Sequence, residues 1–258
     1  MLLTYTSYRL ATRDLDRTLS LKAQERPVSL ETTYYLDNIA KVNSVDEFLK
    51  DTRLFKFAMK AFGLDDLSHA KGLMRKVLSE SPLDDKAYVN RVADDRFIDF
   101  ATTFNFADTG PLATATKDAG QGVVDRYVRQ SLEVDLGAEN QAVRLALYFE
   151  RSVDKIKTGY SILADSALQE VVYTTLGFPD EMKAADIDRQ AATIEKRLDL
   201  ESLKDPETLA KFLARFTAVW DAKSGVQTSP ILSLFSRGSA TSVNLDLAMT
   251  LQNLKRGG

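Results

Sequence analysis

The chain contains no cysteine among its 258 residues, which removes disulfides, thiolate metal sites and cysteine nucleophiles together. It has one histidine, His69, in "LSHAKGLMRKVL". A multi-histidine metal site is therefore excluded, and any serine triad would have to share that single ring. No Walker loop, Gly-x-Gly-x-x-Gly or Gly-x-Ser-x-Gly elbow occurs, and the glycines at 110, 120 and 122 have the wrong spacing for a phosphate cradle. No window approaches the roughly 20 consecutive apolar residues of a membrane-spanning helix. The opening "MLLTYTSYRLATRD" lacks the basic start and long apolar stretch of a cleavable signal peptide. Strong charge of either sign is missing too: 34 basic and 37 acidic residues leave a formal net charge of -3, too weak a field to name a nucleic-acid or anionic-membrane partner.

Breakers are scarce as well, with 12 glycines and 6 prolines, so helical periodicity can run uninterrupted. "DTRLFKFAMKAFGL" (51–64) places Leu54, Phe57, Ala58, Ala61 and Phe62 on one face of a helix. Asp51 suits its N-cap, Gly63 its left-handed end, and Leu64 the apolar contact that accompanies a Schellman ending. "DSALQEVVYTTLGF" (165–178) repeats the pattern with Asp165, Leu168, Val171, Val172, Leu176, Gly177 and Phe178. A second match pairs "DDRFIDFATTF" (94–104) with "LARFTAVWDAK" (213–223), setting Arg96 beside Arg215 and Phe97 beside Phe216. β-Branched clusters do not alternate over strand lengths, so no sheet is expected.

These features predict an all-α fold of two related helical units joined by a long helical spine, short of a regular solenoid. The expected divisions are an N-terminal helical segment (1–44), a first unit (45–106), a loop with connecting helices (107–160), a second unit (161–222) and a flexible C-terminal segment ending in a helix (223–258). Helices are expected over 123–134 and 139–163. In the second, Ala142, Leu145, Phe149, Val153, Ile156 and Tyr160 form a single stripe. Asp205-Pro206-Glu207 reads as a further helix start.

The chemistry-bearing residues invite structural readings. Asp65-Asp66, Asp84-Asp85 and Asp94-Asp95 are sequence neighbours, which do not face each other on a helix, so caps and solvated turns are expected. Arg96 and Arg215 each precede a phenylalanine, as locally paired or solvent-directed arginines do. No catalytic, metal-ligating or cofactor-binding residue is assigned, and no cofactor is expected. Leu245, Ala248, Leu251 and Leu254 form a narrow seam that needs a covering helix, and Leu10 belongs to an irregular apolar face near the start. These five residues are the candidate interaction site.

"FLKDTRLFKFAMKAFGLDD" together with "KVLSESPLDDKAYVNRVADDRFIDFATTFNF" resembles an alphaproteobacterial family, domain of unknown function 1217, whose members are often encoded beside flagellar genes. The features that carry the resemblance are Ala61 to Leu64, Val77 to Ser79 and Asp95 to Phe97. It implies a helical protein associated with the flagellum and supplies no catalytic residues. The expected function is that of a non-enzymatic structural or assembly factor acting through helix surfaces. The alternative is a cytoplasmic adaptor, chaperone or regulator that binds a partner helix, and a small-molecule enzyme ranks last. The expected partners are proteins, including flagellar components and a second copy engaged through the termini. The expected location is the cytoplasm or the flagellum.

Overall fold

A computed structural model describes residues 3–92 and 94–224. Met1–Ala222 pack as one compact unit; of the second unit, Lys223–Gly258, only the first two residues are described. The seam of Leu245, Ala248, Leu251 and Leu254 lies outside the described residues. Every regular element among the described residues is helical, and no strand occurs.

The first half holds α1 (Thr4–Thr12), α2 (Leu15–Gln24), α3 (Arg26–Ile39), α4 (Val45–Lys50), α5 (Thr52–Ala61), α6 (Lys71–Ser79), α7 (Tyr88–Arg91), α8 (Asp95–Thr103) and α9 (Phe106–Thr109). The second holds α10 (Val123–Glu139), α11 (Gln141–Ser152), α12 (Gly159–Leu163), α13 (Ser166–Leu176), α14 (Ile187–Arg197) and α15 (Pro206–Lys223).

The two copies of the apolar stripe begin and end in the same way. The Asp51 side chain accepts from the backbone N–H groups of Arg53 and Leu54, and that of Asp165 from those of Ala167 and Leu168. At the other end, Gly63 and Gly177 take φ of 68° and 65°, a region that glycine enters without steric cost. Their N–H groups reach Lys60 and Thr174, while those of Leu64 and Phe178 reach back to Met59 and Tyr173. Both are Schellman endings.

The likeness extends beyond the stripe at a constant offset of 114 positions. Tyr34 donates its hydroxyl hydrogen bond to Asp51 at 2.9 Å, and Tyr148 donates to Asp165 at 2.5 Å. Ser44 caps α4 through Glu47 N–H, and Thr158 caps α12 through Ser161 N–H. α3 packs on α5 and α4 on α6, as α11 packs on α13 and α12 on α14.

Each half builds a core. Tyr35, Phe48, Phe55, Phe57, Phe100 and Phe104 lie in the first, and Phe149, Ile162, Val171, Val172, Phe212 and Phe216 in the second. Of the stripe residues, Leu54, Phe57, Phe62, Leu168 and Val172 are buried, while Leu176 is half-buried at the edge of the second core. The halves also exchange helices. Val123, Val124, Tyr127 and Val128 of α10 complete the first core, and Tyr8 of α1 joins the second. α2 and α10 pack directly on each other.

Two sequence expectations differ from the structure. The helix expected over 139–163 is interrupted. Asn140 and Thr158 are both extended N-caps, and Ile156 between them is extended as well. The break turns α12 toward α14. The pairing of 94–104 with 213–223 joins unlike places: α8 starts at its N-cap Asp94, whereas Leu213 lies in the middle of α15. The start expected at Asp205-Pro206 is where α15 begins, with the Asp205 carboxylate accepting from Thr208 N–H at 2.8 Å.

Candidate functional site

A cleft of about 590 Å³ opens between the two cores, a size typical of ligand and cofactor sites. The N-cap and first half of α8 supply Asp94, Arg96 and Asp99; α10 supplies Arg126 and Arg129; α11 supplies Tyr148 and Arg151, and the turn that follows it Lys155. Phe62, Ile156 and Leu168 add apolar surface.

The polar wall is built around Glu133, which is only 1% exposed. Its carboxylate accepts from Arg129 Nε at 3.1 Å and from Arg151 Nε at 2.8 Å and Nη2 at 3.2 Å. Arg151 also donates to Gln130 at 3.2 Å, and its guanidinium lies over the Tyr148 ring. A buried carboxylate survives desolvation only with such partners. Across the cleft, Arg96 grips Asp94 through Nε and Nη2, and its Nη1 donates to the Gly63 carbonyl at 2.7 Å. The Schellman turn of α5 is thereby tied to the start of α8. Lys155 pairs with Asp99, bringing the turn that follows α11 to α8.

The hydrogen bonds to Asp94 raise the Arg96 pKa despite opposing desolvation. Burial and the Asp165 carboxylate push the Tyr148 hydroxyl well above its usual range. Both groups are held away from titration near neutrality, so the arrangement suits recognition by fixed donors and acceptors better than proton transfer.

The equivalent tyrosine–aspartate pairs sit in different surroundings. Tyr34 and Asp51 face the outside of the first half under the Arg53 guanidinium, which lies 3.8 Å from the Tyr34 ring centroid. Tyr148 and Asp165 face the cleft. Asp165→Ala removes the α13 cap and strands the Tyr148 hydroxyl, so it should cost about 1–3 kcal/mol and more than Asp51→Ala. Urea denaturation of the two variants checks the order.

Behind this wall, Glu150 of α11 carries a buried carboxylate oxygen with no hydrogen-bond partner. Burial pushes its pKa up, and the charge of Arg129 only partly opposes this; Tyr8, Arg9 and Glu133 are the other groups that act on it. A carboxyl whose folded pKa is raised contributes stability below its unfolded pKa and loses it as pH rises through the folded value. Glu150→Gln should therefore raise the melting temperature at pH 7, with the gain closing as pH falls toward the ordinary carboxyl value of 4.5. Melting curves from pH 4 to pH 8 test the trend.

The residues singled out from sequence are scattered. Leu10 is 58% exposed on α1, away from the cleft lining. His69 is exposed and Arg215 lies on the outer face of α15, so Arg96 and Arg215 do not share an environment. Asp94 is a cap and ion-pair partner, and Asp84 accepts from Lys86 N–H in a turn. Among the described residues, no group of three or more His, Asp or Glu side chains is arranged to hold a metal ion. Sequence reasoning missed Glu133, Tyr148 and Arg151. The Tyr148–Asp165 pair was detectable, because Tyr34 and Asp51 recur at the same separation of 17 residues.

A family model described as a protein of unknown function, DUF1217, matches residues 61–209. The chain belongs to this family. The DUF1217 match runs from the end of α5, through α10 and α11, into the first turn of α15, and so takes in every cleft-lining residue except Leu19. A crystal structure of a protein from Agrobacterium tumefaciens is similar, with a TM-score of 0.80 and 45% sequence identity over 85% of this chain and 94% of that one. No curated protein matches.

Proposed function

We propose that this protein is a non-enzymatic structural or assembly factor of the bacterial flagellum that acts through its helix surfaces. The observation that carries the non-enzymatic part is the cleft itself. Its Arg96, Arg129 and Arg151 are committed to ion pairs, the last two with the buried Glu133 behind them, and its Tyr148 is held protonated. Such a wall offers shape and paired charge to a partner. The flagellar setting rests on the resemblance of the 61–64, 77–79 and 95–97 motifs to a family often encoded beside flagellar genes.

A deletion strain tests this reading. Loss of filaments supports a role in structure or assembly, and paralysed but intact filaments point to the motor. Normal swimming with normal filaments overturns the flagellar assignment.

The cleft's apolar surface and its volume of about 590 Å³ favour a second reading, an adaptor that receives part of a partner helix between the two halves. Fractionation separates the two: a chain confined to the cytoplasm and absent from purified basal bodies favours the adaptor.

A further inference from the structure

The first half departs from the second where α1 meets α2, on the face away from the cleft residue Leu19. At the constant offset of 114, α1 and α2 correspond to residues 118–138, where α10 runs unbroken from Val123 to Glu139. In the first half the path bends at Arg13 and Asp14, and the Asp14 carboxylate starts α2 by accepting from Arg17 N–H. The bend creates a concavity lined by Leu10, Arg13, Asp14, Arg17, Thr18 and Leu21.

Its chemistry is unspent. Leu10 and Leu21 are each 58% exposed, and Leu3, the N-cap of α1, is 47% exposed. Leu3 and Leu10 are seven residues apart and so share a face of the helix. Arg9, Arg13 and Arg17 follow one another at four-residue intervals, and among the described residues none of them forms a salt bridge. Of the nearby carboxylates, Asp14 is committed to the cap. The opposite faces of the same helices are occupied: Thr4, Tyr8 and Ala11 are buried, and Lys22 is paired with Asp135 of α10. The elbow is therefore anchored from behind and presents leucines flanked by unpaired guanidiniums.

We infer that the α1–α2 elbow is a docking site for an acidic amphipathic helix of a partner protein, whose apolar residues seat on Leu10 and Leu21 while its carboxylates meet Arg13 and Arg17. Guanidiniums suit this role because they bind carboxylates in a two-pronged geometry and shed water more readily than ammonium groups. An amphipathic helix presents its anchors at three- and four-residue spacing, which matches a short concavity between two helical segments. The inference deepens the reading of the protein as a helix-surface binder and gives its partner a chemical character.

The test uses the full chain and fluorescence anisotropy. The probe is a labelled helical peptide about five turns long, with leucines on one face and glutamates on the other. A peptide with lysine in place of every glutamate is the charge control, and phosphatidylglycerol vesicles are the membrane control. The expected result is saturable binding of the acidic peptide only. It should weaken at least roughly tenfold in Arg13→Glu/Arg17→Glu, because charge reversal replaces attraction by repulsion, and similarly in Leu10→Ser/Leu21→Ser. All four side chains lie on the surface of the concavity, and unchanged melting curves certify the variants as folded. No binding of the acidic peptide, equal binding of the lysine peptide, or variants that bind like the parent each overturn the inference. Vesicle binding that is lost in the variants, without peptide binding, overturns it in favour of a membrane surface. Failure here combined with loss of filaments in the deletion strain would remove this site while leaving the broader function standing.

Discussion

Glu133→Gln should destabilise the protein by about 3–5 kcal/mol, the range for breaking a buried ion pair by removing one partner. Among the described residues, Glu133 is the one carboxylate that bridges to both Arg129 and Arg151, whose side chains are 19% and 33% exposed. Without it two guanidiniums repel each other beside α10. The fall should be larger than for Lys155→Met, whose pair with Asp99 is half exposed and belongs to the class of surface bridges worth about 0–1 kcal/mol. Urea unfolding of both variants measures the difference; equal midpoints would show that Glu133 organises nothing.

The second large effect is expected at Phe57. This ring is sandwiched between Tyr35, at a centroid distance of 4.4 Å, and Tyr127, at 3.9 Å. It thus links α3, α5 and α10. Phe57→Ala should cost about 3–5 kcal/mol, combining lost transfer energy with a cavity that two fixed neighbours cannot fill. Phe57→Leu retains most of the volume and should recover a good part of the loss. A Phe57→Ala protein that melts with the parent would show that the first core does not depend on this stack.

The stripe around Phe57 was legible because a helix writes its buried face into the sequence at three- and four-residue intervals. The aspartate caps and glycine endings of α5 and α13 were legible for the same reason: they are local hydrogen-bonding problems solved by particular residue types. The cleft wall was not. Glu133, Arg129 and Arg151 are surface-type residues by composition, and only the packing of α10 on α11 brings Arg151 to Glu133 across 18 positions. The interruption before α12 also escaped, since Ile156 and Tyr160 continue the apolar spacing through a break that Thr158 sets by a side-chain bond. Periodicity records which side chains want burial; it does not record whether the backbone between them stays helical.

The exchange of helices between the halves has a consequence for the order of events during synthesis. The first core cannot close when its own half leaves the ribosome, because it waits for Tyr127 and Val128. α1 waits longer. Its first amide, at Thr4, is capped by the Asp221 carboxylate at 3.0 Å, across a separation of 217 residues. α1 is made before α15 and is thus among the last of the described helices to settle, and its apolar face stays open until α15 emerges. Long-range closure of this kind is slow and leaves partly folded chains prone to association. Refolding of the full chain should accordingly show α1 protected from amide exchange after the first core, and a nascent chain stalled before α15 should remain sensitive to protease at α1.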